Sequence, residues 1–271
     1  MTGLRPGAIL RLSALALATL ALLPVQIVVA RLAPGRSAAI PLLFHRITCG
    51  CLGVKRRIRG TPPPPGSGGL IVANHVSWLD ISVIGAQQPL CFVAKSEVRG
   101  WPVIGFLSRL QNTLFIDRSR RAATADMATQ MGARLSAGEA VVLFAEGTTG
   151  DGTRILPLRS SLLGAAHEAL KSDVETEANS DITIYPLTIS YTGFHGIAGG
   201  RAERTALAWY GETELAPHLT TILRVGAIDV ELAWGEPIAM GRKTTRKEAT
   251  RLAEAAIRKA RQETVSGRPL A

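Results

Sequence analysis

The chain has 271 residues, of which 46% are hydrophobic and 19% charged, and it carries a net charge of +10. That composition excludes a disordered chain, and the length suffices for one domain with a buried core, with or without an appendage. The charge is unevenly placed: residues 1–60 hold nine basic residues and no acid, residues 242–271 hold nine basic and three acidic, and the stretch between them sums to −5.

Positive ends around a mildly acidic body fit an anionic membrane surface better than a nucleic-acid groove. The basic tail also lacks the aromatic residues that single-stranded nucleic acid stacks on. Cys49, Cys51 and Cys91 are too few for a disulfide framework. Cys49-Gly50-Cys51 has no second Cys or His cluster to complete a zinc site. Reduced thiols of a cytosol-facing protein, and no metal, are expected.

In chain order, Leu12 to Ala30 is an uncharged apolar stretch, preceded by Arg5 and Arg11 and followed by Arg31 and Arg36. About 20 apolar residues span a bilayer core as a helix. The stretch reads as a membrane anchor, spanning or lying in one leaflet. A cleaved signal peptide and a buried core helix are the alternatives. Ala38 to Leu52 reads as a second, shorter helix at the interface. Lys55-Arg56-Arg57-Ile58-Arg59 follows, a cluster that suits anionic headgroups and places this side toward the cytoplasm, and equally suits a solvated strand face. Thr61 to Gly69 is a proline- and glycine-rich turn between two strands.

Apolar runs then predict strands at Leu70–Ala73, Leu90–Ala94, Thr113–Ile116, Ala140–Phe144, Ile182–Tyr191, Leu207–Tyr210 and Ile228–Trp234. Helical patterns lie between them at Ser77–Gln87, Trp101–Leu110, Ser119–Ser136, Ser160–Lys171 and Leu215–Leu223. Glu168 to Asp181 is acidic and reads as a surface connection. Arg242 to Glu263 reads as an amphipathic basic helix with Ala249, Leu252, Ala253, Ala256 and Ile257 on one face. The expected fold is α/β: a mixed, mainly parallel sheet flanked by helices, preceded by a membrane-associated helical motif. The expected organisation is an anchoring segment at 1–54, the α/β domain at 55–241 and a basic helix and tail at 242–271.

Four blocks carry candidate chemistry. Asn74-His75-Val76-Ser77-Trp78-Leu79-Asp80 follows a strand and opens a helix. His75 and Asp80 cannot share a helical face, but with the helix starting at Ser77, Asp80 in its first turn reaches back to His75. Its carboxylate then accepts the Nδ1–H and leaves Nε2 as a base. Ser77-x-x-Asp80 is also a capping-box pattern that needs no catalysis. Phe144 to Arg154 is a glycine-rich loop at a strand end, where α/β proteins place ligands, without the Gly-Lys-Ser/Thr of a phosphate-binding P-loop. Its plain alternative is a connecting turn. Phe115-Ile116-Asp117-Arg118 offers a guanidinium fork for an anionic headgroup, or a surface ion pair. Tyr185-Pro186-Leu187 places a proline in a strand, a sign of an edge or bulge.

In this order, over roughly residues 70–190, the four blocks resemble the signature of the lysophospholipid acyltransferase family. The resemblance implies that His75 is the general base and Asp80 its orienting partner. Arg118, Glu146, Gly147 and Thr148 would hold the acceptor, and no metal or cofactor is needed beside an acyl carrier protein or CoA thioester. Lys95 is the candidate donor to the oxyanion, with a backbone N–H as the competitor. Phosphatidic-acid-forming members usually read Phe-Pro-Glu-Gly-Thr-Arg in the third block; Ala145 and Thr149 stand at the proline and arginine positions here. Arg154 or Arg159 are the possible replacements for that arginine. The run Glu146 to Ser161, with Ala94 to Val98 and Trp101-Pro102, looks like the branch that acylates lyso-ornithine lipid. The alternative acceptor is 1-acylglycerol-3-phosphate. The expected location is the cytoplasmic face of the bacterial inner membrane.

Overall fold

A computed structural model describes residues 6–117, 121–164, 166, 182–241 and 244–267. Two helices come first, α1 (Pro6–Leu32) and α2 (Ala39–Cys51). Mean hydropathy along α1 reaches 2.2, and the helix is almost wholly uncovered, with Leu10, Leu17, Leu20 and Leu32 exposed. At ~1.5 Å per residue, its 27 residues measure about 40 Å. Two polar side chains tie it to the rest of the protein: Arg11 Nη1 donates to Gly226 O at 2.7 Å, and Gln26 Nε2 donates to Leu110 O at 2.7 Å. α2 buries His45, Thr48 and Cys49.

The sheet comprises β1 (Val54–Arg59), β2 (Gly69–Ala73), β3 (Cys91–Lys95), β4 (Leu114–Ile116), β5 (Ala140–Phe144), β6 (Ile182–Phe194), β7 (Ile197–Ala198), β8 (Ile228–Trp234) and β9 (Ile238–Met240). Its order is β1-β8-β6-β2-β5-β3-β4, with β7 and β9 also on β6. β6 runs antiparallel to β7, β8 and β9, and all other pairs are parallel. β2 and β5 are buried at every position, as apolar runs of this kind require at the centre of a covered sheet. β1, with its alternating basic residues, is an edge strand. The proline-rich turn therefore joins strands that are not neighbours.

Further helices are α3 (Leu79–Gly85), α4 (Ile104–Leu110), α5 (Arg121–Ser136), α6 (Arg201–Leu207), α7 (Leu215–Val225) and α8 (Arg246–Ser266), with a helical stretch at 160–164 and 3-10 turns at Pro34–Arg36 and Ser96–Gly100. One core gathers Ile71, Ala73, Leu79, Val83 and Ile84 with Ile222 on one face of the sheet. A second gathers Leu70, Val72, Met127, Met131, Ala249, Ala253 and Ile257 on the other. The apolar side of α8 is thus laid on the sheet, where Thr188 Oγ1 donates to Ile257 O at 3.0 Å.

The run Leu207–Tyr210, expected as a strand, instead ends α6 and continues as coil. A short apolar run looks alike in either setting, and here burial of Leu207 and Ala208 comes from a helix end. The acidic stretch 168–181 and most of the predicted helix beyond residue 164 lie outside the described residues.

Candidate active site

The carboxyl ends of β2 and β5 lie side by side, with Ala73 opposite Phe144. The chain leaves β2 through Asn74, whose side chain extends the pairing toward β6: Nδ2 donates to Ile189 O at 3.1 Å and Oδ1 accepts Ile189 N–H at 2.7 Å. The next residue is thereby held at the strand mouth. His75 stacks on Phe144 with ring centroids 3.9 Å apart and planes 15° from parallel. Its Nδ1 lies 2.8 Å from Asp80 Oδ2. An ionised carboxylate only accepts, so Nδ1 carries the proton and Nε2 presents its lone pair. The imidazole keeps 18% of its surface exposed while Asp80 keeps none.

Four groups satisfy the buried Asp80 carboxylate. Oδ2 also accepts Val76 N–H at 2.7 Å and Ser77 N–H at 3.0 Å, and Oδ1 accepts the Tyr191 hydroxyl at 2.7 Å. Asp80 therefore both orients His75 and caps the turn before α3. The reciprocal half of a capping box is missing, since Ser77 Oγ is buried without a partner. Burial first, then the charge of Asp80 and its hydrogen bond, hold the Tyr191 phenol well above its ordinary range, so it stays a donor.

From β5 the chain turns through Glu146, which is 3% exposed. Glu146 Oε2 accepts His75 N–H at 3.4 Å and Oε1 accepts Leu156 N–H at 3.1 Å. Gly150 N–H donates to His75 O at 2.8 Å. The glycine-rich loop is thus fastened to both sides of the His75 peptide. Burial pushes the Glu146 carboxyl up to about 8, against the opposing pull of the Leu156 and His75 amides. Gly147 sits at φ +75, a conformation L side chains rarely adopt.

A buried carboxylate turning an imidazole toward an open strand mouth is base chemistry without a nucleophile of its own. The acyltransferase family model matches residues 55–190, half of the chain. The chain belongs to the acyltransferase family. Over 93% of this acyltransferase and 92% of its own length, the lyso-ornithine lipid O-acyltransferase of Brucella abortus is 43% identical. That of Rhizobium meliloti is 41% identical over 94% of this chain and 85% of its own length. The 1-acyl-sn-glycerol-3-phosphate acyltransferase of Neisseria gonorrhoeae is 37% identical over 41% of this chain and 44% of its own length. In fold, the acyltransferase resembles the 1-acyl-sn-glycerophosphate acyltransferase of Thermotoga maritima, with a TM-score of 0.65 and 19% identity over 94% of each chain.

Of the acyltransferase's other sequence-predicted residues, Lys95 ends β3 and Glu146 to Thr148 follow β5. Gly147 is buried and Thr148 exposed on the loop after β5, whereas both Glu146 oxygens face backbone amides. Lys95 keeps its backbone in the ladder to β4, and its side chain is exposed. Arg118 lies outside the described residues. Arg154 and Arg159 are exposed. Sequence reading missed Asn74, Phe144 and Tyr191 as parts of the site. Asn74 adjoins His75 and Phe144 adjoins the glycine-rich loop, so position alone marked them. Tyr191 stands 111 residues from Asp80 with no local signal.

Proposed function

We propose that this acyltransferase moves a fatty acyl group from an acyl thioester, on acyl carrier protein or CoA, to the hydroxyl of lyso-ornithine lipid, forming ornithine lipid. The observation that carries the reading is likeness over more than nine-tenths of the chain to proteins of that name. Likeness to the Neisseria protein that acylates 1-acylglycerol-3-phosphate covers less than half of it. That second acceptor is the alternative, and Thr149 in place of the usual arginine weighs against it.

In this reading His75 Nε2 takes the acceptor's hydroxyl proton as the oxygen attacks the thioester carbonyl. Asp80, fixed by Tyr191 and two amides, stabilises the imidazolium that forms. Collapse of the tetrahedral intermediate breaks the carbon–sulfur bond, and the departing thiolate recovers the proton from His75. Lys95 is the side-chain candidate for the oxyanion. Gly147, Thr148 and Arg118 hold the acceptor, and Glu146 serves by holding the loop that carries the first two.

An apolar cavity of about 130 Å³ between α1, α2, α3 and α4, lined by Leu22, Phe44, Ile81 and Leu107, has room for a few methylene groups only. The exposed apolar side of α1, tied to the domain near both ends, supports an anchor that lies along the protein in the cytoplasmic leaflet. Purified protein incubated with labelled acyl thioester and each lyso-lipid in turn tests the reading. Ornithine lipid should form, and His75→Ala should abolish it. Transfer to 1-acylglycerol-3-phosphate alone would overturn the acceptor, and full activity of the variant would overturn the mechanism.

A further inference from the structure

Two arginines meet beside the site without a counter-charge. Arg261, on α8, is 9% exposed, and its Nη2 donates to Gly152 O in the glycine-rich loop. Arg204, on α6, donates from Nη1 to Gly199 O at 2.9 Å, while its Nε is buried without a partner. Among the described residues no carboxylate pairs with either guanidinium. Burial, and after it the charge of Arg204, pulls Arg261 down to about 10. A buried guanidinium beside a half-buried one whose Nε is itself enclosed is costly unless an anion completes the pair.

Their place in the fold says which anion. Gly152, at φ +72, is packed so closely that an added Cβ would lie 3.1 Å from Val76 Cγ1 and 3.2 Å from Arg204 O. Val76 follows His75 and accepts Trp209 N–H at 2.9 Å just beyond α6. Gly152 thus links the two arginines to the residue next to the base: Arg261 binds its carbonyl from α8, and the Arg204 backbone packs against it from α6. The loop itself has Thr149 at the position of the usual arginine, and its Arg154 is exposed.

We propose that Arg204 and Arg261 form an anion site that receives the acidic headgroup of the acceptor lipid, its carboxylate or phosphate. The proposal rests on the reading that an acceptor lipid enters beside His75. In lyso-ornithine lipid only a few bonds separate the reacting hydroxyl from the carboxylate, so one fork can hold the headgroup while His75 takes the proton. Arg fits planar oxyanions through paired N–H donors.

The test uses the full-length protein in detergent. Its probes are N-dodecanoyl-ornithine, which lacks the reacting hydroxyl, and dodecyl phosphate, each beside its neutral methyl ester. Binding is read from tryptophan fluorescence, since Trp209 and Trp101 stack edge-to-face at 6.0 Å next to α6. Wild type should bind at least one acid about tenfold or more tightly than its ester, the worth of a charge-assisted hydrogen bond. Arg204→Gln and Arg261→Gln should bring that ratio to within about threefold of unity. Loosening the loop by loss of the Gly152 contact would weaken acid and ester together and leave their ratio unchanged. An unaltered ratio in both variants, or no preference in wild type, overturns the site. Acyl transfer is assayed separately, so wild type that discriminates acid from ester yet fails to acylate lyso-ornithine lipid would sink the proposed function and leave the anion site standing.

Discussion

Asp80→Asn separates the two roles that converge on one carboxylate. The amide is nearly isosteric, and its oxygen, placed where Oδ2 lies, still accepts from Val76 N–H and Ser77 N–H, at 2.7 and 3.0 Å in the wild type. The turn before α3 should therefore keep most of its support. The 2.8 Å contact with His75 Nδ1 changes character, because the imidazolium formed during transfer faces a dipole instead of a charge. A charge-assisted hydrogen bond is worth about 1.5–3 kcal/mol, or roughly 10- to 150-fold in rate. Should the amide instead turn its NH₂ toward His75, the ring must adopt the other tautomer, with Nε2 protonated. The corresponding change in a Ser-His-Asp triad then lowers kcat by about 10⁴. The expected loss in kcat is thus about 10- to 10⁴-fold, with a melting temperature close to that of wild type. The assay is transfer of a labelled acyl group from a thioester to lyso-lipid, beside a thermal melt. A variant within threefold of wild-type kcat and equally stable would refute the orienting role and leave Asp80 as a cap alone.

Three further outcomes are expected. Tyr191→Phe strips Asp80 Oδ1 of its 2.7 Å partner at a site 3% exposed, so stability to denaturant should fall by about 1.5–3 kcal/mol and transfer by about tenfold; unchanged values in both assays would contradict this. Glu146→Gln removes a carboxyl that burial raises in the folded protein to about 8, from an ordinary 4.5. The unfolded wild type releases its proton above about 4.5 while the folded form retains it up to about 8, so wild-type stability falls through that window and levels off beyond it. The advantage of the Gln variant should therefore grow between those pH values, by an amount on the order of 4 kcal/mol. Unfolding by denaturant across the pH range checks it, and a pH-independent difference would refute it. Gly85→Ala puts a Cβ 2.4 Å from His45 Cδ2 in a packed contact between α2 and α3, which should lower stability by about 1–3 kcal/mol in a thermal melt. An unchanged melt would show that the two helices give way freely.

Strands were the legible part of this fold because each is a short apolar run between turn signals. β5 and β8 coincide with the runs Ala140–Phe144 and Ile228–Trp234, α7 starts with its pattern at Leu215, and α3 and α4 start two and three residues after theirs at Ser77 and Trp101. Less was legible where one pattern suits two surroundings. The run at Leu207 looked like a strand because burial, not periodicity, makes it apolar. The amphipathic tail had an apolar face whose partner no local rule names; it is the sheet, at Thr188 and its neighbours.

By itself the sequence determined what depends on near neighbours along the chain. It set a long apolar helix ahead of an α/β domain, and a histidine five residues before an aspartate at a strand-to-helix turn, a spacing the backbone closes into a 2.8 Å hydrogen bond. Only the tertiary structure decided what depends on contacts across the chain. Tyr191 completes Asp80 from 111 residues away, Asn74 is held to Ile189 from 115 away, and Arg261 reaches Gly152 from 109 away. Hydrogen-bonding capacity is written in each side chain, but burial chooses the partner, and burial is settled only when the strands of the sheet take their places side by side.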